Sequence, residues 1–388
     1  HLDTLPARLF DESRQALSAL EMLRSGDWLV THYRGEVDLY NTKPPLLFWM
    51  IATSYAVLGP GELAMRLPVA FLALATCVVL LRISWKVVGS PWAGLYAVLI
   101  LLTCGGFVAA HVARTADFDV PMTFFMFSSL VLLQQWSRGG RGRLVFWSAV
   151  FLTLAVFTKS VQAVLYLPGI VIALIWERRF SALLKLRWTY IGALVFVVVI
   201  GGFLLIRERA EPGFLQAILY NDITGRAGEA LDGHAEPPEF YLKLLQDRQF
   251  GPWWWLSILG AAIGLVHRNE ELRSWTRWSV CISVCYLTAI SVARTKLEWY
   301  NAPLFPLLAG LAAIPIHEAV RFLEQEAYTA RFLRMRVLPA TFAILVFLAG
   351  VSAGALVLLC LKVVRLVDAA EARHAQALES AEERHRER

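Results

Sequence analysis

The residues with chemical potential sit in short polar segments between long apolar runs. Asp11 and Glu12 head the stretch DESRQALSALEMLRSGDWL, where Leu17, Leu20 and Leu23 recur at helical spacing with polar residues between them. Lys43 precedes two prolines in LYNTKPPLLF, at the boundary where an apolar run begins. Arg114, Asp117 and Asp119 stand in ARTADFDVPM, and Lys159 stands in FTKSV. Asp222, Arg226, His234 and Glu236 lie in YNDITGRAGEALDGHAEPPEFY, and Arg294, Lys296, Glu298 and Tyr300 in ARTKLEWYNAP. A carboxylate accepts hydrogen bonds and can take a proton. Arginine forks phosphate oxygens, and lysine acts as a point charge. Together these groups have the composition of a site that binds a phosphate and deprotonates something beside it.

Each segment has a plainer alternative. Asp11 and Glu12 suit the first turn of any helix. Lys43 can snorkel to headgroups. The Asp222–Glu236 stretch can be a solvated loop, and Trp299 with Tyr300 an interfacial anchor. The case for chemistry rests on all of them lying on one side of a membrane.

The 388 residues are 57% hydrophobic and only 18% charged, against about 25% charged in a soluble domain. The pattern predicts an all-α polytopic membrane protein. Apolar runs near 66–85, 91–110, 119–136, 145–157, 161–176, 188–206, 252–267, 277–293, 300–317 and 337–361 give about ten candidate spans. The two runs flanking Lys159 are short for spans, so one long kinked element is the alternative there. The expected organisation is a first outer loop with amphipathic helices and the acidic pair over 1–65. A transmembrane bundle with outer active-site loops follows over 66–362, then a polar tail over 363–388 that the given sequence cuts short.

Basic residues set the orientation. Arg82, Lys86, Arg138, Arg141, Arg143, Arg178, Arg179, Lys185, Arg187, Arg268, Arg273 and Arg277 fall in one set of alternate loops, continued by Arg321, Arg331, Arg334 and Arg336. That set is cytoplasmic, which puts 1–65, 111–118, 158–160, 207–251 and 294–299 outside. The formal charge of +6 then reflects loop arginines and lysines and implies no nucleic-acid partner. Cys77, Cys104, Cys281, Cys285 and Cys360 all lie in apolar runs and read as small buried hydrophobes.

No glycine-rich phosphate loop follows a strand, and no Walker pattern occurs. A phosphate anchored in the membrane fits the outer side better: a polyprenyl phosphate whose head reaches the outer face.

The segments DESRQALSALEMLRSGDWL, KPPLLFWMIATSYAVLGPGELAMRLP, RTADFDVPMTFF, FTKS and VARTKLEWY resemble, in order and across residues 10–317, the lipid A aminoarabinose transferase and protein O-mannosyltransferase group of C-type membrane glycosyltransferases. The resemblance implies the C-type transmembrane fold and an outer-loop acidic pair matching Asp11 and Glu12, with Asp11 the catalytic acid-base residue. It implies that Asp119 is the second-loop aspartate, that Lys43 contacts the lipid phosphate, and that Arg226, Lys296 and Tyr300 fall among the lipid-phosphate contacts. Lys159 joins that donor-binding set, and Asp117 and His234 are acceptor or loop residues. Relatives often carry Glu before the Lys-Pro pair and Glu-His in the long outer loop, positions associated with a metal. Here they are Thr42 and Asn221-Asp222, so no cofactor is assigned and a divalent metal is left open. Relatives also have a span before the acidic pair and a C-terminal domain, so the chain is expected to be part of a longer protein.

The resulting expectation is an inverting glycosyltransferase of a bacterial inner membrane with its site on the periplasmic side. Its partners would be a polyprenyl-phosphate sugar donor, membrane lipids, and a lipid, glycan or protein acceptor. The rival classes are a transporter or flippase for a lipid-linked sugar and a lipid-binding scaffold. A transporter calls for polar or broken helices at mid-membrane, whereas these charges gather at span ends.

Overall fold

The structure, a computed structural model, describes residues 2–3, 6–7, 10–224 and 236–329. Apart from a two-stranded hairpin, β1 (His32–Tyr33) and β2 (Glu36–Val37), its regular elements are helices. Those used below are α1 (Asp11–Ser25), α2 (Leu46–Leu58), α3 (Glu62–Val88), α4 (Pro91–Thr103), α5 (Asp119–Ser137), α6 (Arg143–Lys159), α7 (Leu167–Trp176), α8 (Phe180–Leu184), α9 (Arg187–Phe196), α10 (Gly202–Ala210), α11 (Phe214–Ile218), α12 (Phe240–Leu244), α13 (Trp253–Val266), α14 (Glu270–Val292) and α15 (Phe305–Thr329). Each expected apolar run up to residue 317 falls on a helix; the run 337–361 and Cys360 lie outside the described residues. By length and apolar composition alone, four helical stretches suit a membrane: Glu62–Val88, Arg143–Trp176 (which folds back on itself, as described below), Arg187–Ala210 and Glu298–Glu324. Leu46–Leu58, Pro91–Thr103 and Trp253–Val266 are shorter apolar helices.

The chain divides into a unit His1–His317 and a second unit from Glu318. In the second, the described helix holds an Arg321–Glu318 ion pair at 3.1 Å. All further description concerns the first unit.

Arg143–Trp176 is helical throughout, yet it is a hairpin rather than one kinked rod. Lys159 meets Asp119 at the start of α5, while Glu177, just past α7, accepts a hydrogen bond from Ser137 at the end of α5. The chain therefore climbs along α6 and returns through a 3-10 turn (Ser160–Tyr166) and α7. Ser160 makes the reversal with a φ of +57°, a left-handed value unusual for a residue with a Cβ. This answers the ambiguity at Lys159 in favour of two elements, because polar contacts tie both ends of the pair to α5.

Polar contacts sort into two ends. At one, the Asn269 amide donates to Val87 O, Arg138 to Glu271, and Arg277 to Glu270. Asn269 also caps α14 by accepting from the Glu271 and Leu272 N–H groups. At the other end meet α1, the start of α3, the loop 104–118, Lys159 and the segment 293–304. The arginine-rich loops cluster at the first end and the candidate site at the second, as the charge pattern predicts. Between them Trp275, Trp278, Tyr286, Phe127 and Phe305 form the fully buried aromatic core. Leu194 on α9, Val197 and Val198 on the π-helical turn Val197–Gly201, and Leu205 on α10 are exposed, as a lipid-facing surface requires.

Two expectations shift. The run 91–110 stops being helical at Thr103, and Gly105-Gly106 then packs closely: Gly106 N–H donates to Gln249 O, and a Cβ there would sit 2.2 Å from the Phe305 ring. On α1 the buried face is Glu12, Gln15, Ser18, Ala19 and Met22, while Leu17, Leu20 and Leu23 are half-buried. The polar face turns inward because Glu12 and Gln15 have partners there.

Helix α13 packs against α15 through Gly260, where an added Cβ would lie 1.9 Å from Leu311 O. Gly260→Leu is expected to destabilise the bundle by roughly 1–3 kcal/mol, read as a lower thermal midpoint in detergent. Gly201→Ala, which meets open space, leaves the midpoint unchanged or raises it.

Candidate active site

The site is assembled around a buried clasp. Glu12, 1% exposed, receives Arg66 in a two-pronged pair, Nε to Oε1 at 2.7 Å and Nη2 to Oε2 at 2.9 Å. Its Oε1 also accepts the Ala116 N–H at 3.0 Å. Arg66 donates further to the carbonyls of Leu2 and Pro6. One carboxylate thus joins α1, α3 and the loop 104–118. Three hydrogen bonds hold the buried Glu12 carboxylate in place, and with it the start of α1 that carries Asp11.

Asp11, half exposed, faces that loop. Its Oδ2 lies 3.6 Å from His111 Nδ1, and Asp117 Oδ2 lies 3.4 Å from the same nitrogen. The His111 ring stacks on Trp299, centroids 3.9 Å apart and planes 17° from parallel. His111 has a φ of +63°, and its backbone N–H donates to Thr115 Oγ1, which donates in turn to Asp117 Oδ2 at 2.6 Å. Burial lowers the His111 pKa, but Asp117, with Asp11 and Asp119 adding, outweighs it, and the net shift is upward. Burial raises that of Asp117, but His111, Thr115 and Gln15 outweigh it, and the net shift is downward. The field between the two carboxylates therefore favours a positive charge.

Two residues on, Asp119 begins α5 and accepts from Lys159 at 2.6 Å, both side chains buried. The Lys159 ammonium also lies 5.0 Å from the Tyr300 ring centroid. Lys43 pairs with Asp222 across the site. Lys43, Lys159, Gln162, Asp222, Thr295 and Tyr300 line a cavity of about 250 Å³ with apolar walls from α14. Gln162 donates to the Tyr300 carbonyl and to the Tyr286 hydroxyl, which pins the turn after Lys159 to the segment 298–304.

The structure therefore brings Asp11, Glu12, Asp117 and Asp119 to one end of the bundle with Lys43, Lys159 and Tyr300. Lys296 is set apart: its Nζ donates to Ala293 O, and with Arg294 and Glu236 it lines a larger neighbouring cavity of about 680 Å³. Ala293 and Thr295 face one cavity while Arg294 and Lys296 face the other, the alternation of an extended segment. Arg226 and His234 lie outside the described residues. At the positions the resembled family associates with a metal, Thr42 is buried and Asp222 is taken by Lys43. That pair does not make a metal-ligand set.

Sequence reasoning missed Arg66, His111, Gln162 and the Arg14–Asp38 pair. Arg14 grips Asp38 with two hydrogen bonds and lies over the Tyr33 and Tyr40 rings, which ties the hairpin to α1. Arg66 had a signal, a lone arginine inside an apolar run. His111 had one too, three residues before Arg114.

Residues 42–205 match the dolichyl-phosphate-mannose-protein mannosyltransferase family. An uncharacterized protein of Aquifex aeolicus is 28% identical over 78% of this chain and 58% of its own length. An undecaprenyl phosphate-alpha-4-amino-4-deoxy-L-arabinose arabinosyl transferase of Pseudomonas savastanoi pv. phaseolicola is 25% identical over 81% of this chain and 57% of its own. The fold is that of ArnT from Cupriavidus metallidurans, solved bound to undecaprenyl phosphate, with a TM-score of 0.71 at 20% identity over 94% of this chain and 69% of that one. In the matched segment and in its fold the chain is similar to the C-type membrane glycosyltransferases. It is an integral membrane protein, as the resemblance in its sequence implies. It spans a little over half the length of the two relatives named.

Arg66→Ala would leave the Glu12 carboxylate buried without its counter-charge. The expected cost is roughly 3–5 kcal/mol, seen as a sharp fall in thermal midpoint in detergent. Lys86→Ala, at the opposite end of α3, leaves the midpoint near the parent value.

Proposed function

We propose that this chain carries the transfer site of a glycosyltransferase that moves a sugar from a polyprenyl-phosphate donor to an acceptor by an inverting mechanism. The observation that carries the reading is the cavity holding Lys43, Lys159 and Tyr300 at the same end as Asp11, Asp117 and Asp119. Two ammonium groups in a part-buried cavity with apolar walls suit a phosphate whose tail lies in lipid. The names of the relatives, an arabinosyl transferase acting from undecaprenyl phosphate and an ArnT bound to that lipid, support the same donor class.

In this reading the acceptor oxygen attacks the anomeric carbon from the face opposite the phosphate. The bond from that carbon to the phosphate oxygen breaks, and its electron pair leaves with the phosphate. Lys43 and Lys159 neutralise the departing charge, and the Tyr300 hydroxyl hydrogen-bonds it. Asp11 orients the acceptor and takes its proton. Glu12 fixes the turn that presents Asp11, and Asp119 holds Lys159. Arg226 and Lys296 are further donor contacts by resemblance. The acceptor is a lipid, glycan or protein at the outer face of a bacterial inner membrane, the side that arginine-rich loops assign by exclusion. A transporter reading lacks support of this kind, because the ion pairs of the described residues collect at the two ends of the bundle.

In proteoliposomes with a polyprenyl-phosphate sugar, Asp11→Asn is expected to lower transfer by about 10²–10⁴-fold while binding of undecaprenyl phosphate persists. Lys43→Ala and Lys159→Met weaken that binding. Unchanged transfer in Asp11→Asn, or sugar counterflow without transfer in the parent chain, sinks the reading.

A further inference from the structure

We propose that the cavity of about 680 Å³ beside the Lys43–Lys159 cavity is a binding site for a bilayer phospholipid with a primary amine in its head group, of the phosphatidylethanolamine type. Arg294 and Lys296 hold the lipid phosphate there, and Glu236 holds the ammonium.

Lys296 carries the argument first. It is 4% exposed, yet its ammonium donates to a neutral acceptor, Ala293 O at 2.6 Å. Among the described residues no carboxylate pairs with it. A buried charge is costly unless it is paired. The plainer role for such a lysine is to cap the C-terminal end of α14. That role uses one N–H of the ammonium and leaves its charge without a counter-ion. Arg294, two residues away on the same cavity, is exposed and has no ion-pair partner among the described residues either. Two cations without counter-ions on one cavity call for an anion, and a phosphate takes hydrogen bonds from both.

The apolar wall identifies the rest of the ligand. Beside the two cations the cavity is lined by Leu287 and Val292 of α14 and by Leu242 of α12. Val284, Thr288 and Val292 follow at four-residue steps along α14, and all three are exposed. An open, largely apolar stripe therefore runs from the cavity along one face of that helix. The volume lies within the range of about 300–1,000 Å³ that small-molecule sites occupy. A small soluble anion would leave this wall bare, whereas an acyl chain covers it.

Glu236 decides the head group. It lines the same cavity, is exposed, and pairs with neither Arg294 nor Lys296. Buried Lys296 and exposed Glu236 set opposite charges at different depths, the cation inside and the acid at the rim. A phospholipid with a primary amine has its phosphate next to the chains and its ammonium beyond, in the same order. A choline head group has no N–H to give a carboxylate, and a glycerol head group has no positive charge. The site is separate from the donor cavity, because Ala293 and Thr295 face that one while Arg294 and Lys296 face this one. A lipid held here braces the segment the two cavities share. Its effect on transfer rests on the proposed function; the binding does not.

The test uses the full chain in detergent, stripped of lipid, with phosphatidylethanolamine, phosphatidylglycerol or phosphatidylcholine added singly and bound lipid counted by native mass spectrometry. Neither donor nor acceptor is present, so the readout stands whether or not the chain transfers sugar. A single saturable phosphatidylethanolamine is expected, bound about two- to fivefold more tightly than the other two lipids. Lys296→Met should weaken its binding at least about tenfold, and Arg294→Ala should weaken it too. Arg294 is exposed, so its variant folds even if Lys296→Met does not. Glu236→Gln should erase the preference over phosphatidylglycerol. Lys43→Ala binds phosphatidylethanolamine like the parent. Equal binding of the three lipids by the parent, unchanged binding in Arg294→Ala, or displacement of the phospholipid by undecaprenyl phosphate in Lys43→Ala overturns the site.

Discussion

The Glu12–Arg66 clasp is the interaction on which the outer end depends. A carboxylate and a guanidinium that are 1% and 4% exposed are costly to bury apart and acceptable only when matched. Their pairing is bidentate, and the remaining capacity goes to Ala116 N–H and to backbone carbonyls. That one buried pair therefore fixes the first outer helix, the first long span and the loop before α5. Asp11, Asp117 and Asp119 inherit their positions from those three elements.

A division of labour among adjacent acids follows. Asp11 and Glu12 are neighbours in sequence, yet one is half exposed and the other sealed. Asp117 and Asp119 are both buried, but Asp117 faces His111 and Asp119 faces Lys159. On a helix or turn, neighbouring side chains point in different directions. Identical chemistry thereby serves a structural clasp, a histidine contact and a lysine anchor within a short reach.

The two cavities show the same economy along one extended segment. Residues 293 and 295 face the Lys43–Lys159 cavity, and residues 294 and 296 face the larger one. Lys296 and Tyr300, close in sequence, consequently serve different spaces. The resemblance alone places them together, because a motif records order along the chain and not the direction of each side chain.

The sequence by itself determined the class of protein, the apolar runs that become helices, the gathering of charges at the span ends, and the family resemblance. These are properties of apolar run length and of arginine and lysine counts, which are local along the chain. Only the tertiary structure decided that the chain turns back at Lys159, that the polar face of α1 is the buried one, and that His111 stands between Asp11 and Asp117. Each of these depends on a partner far away in sequence: Ser137 for Glu177, Arg66 for Glu12, and Trp299 for the imidazole. Periodicity cannot specify which face of a mixed helix turns inward, because burial of a charge is settled by whether a counter-charge waits there.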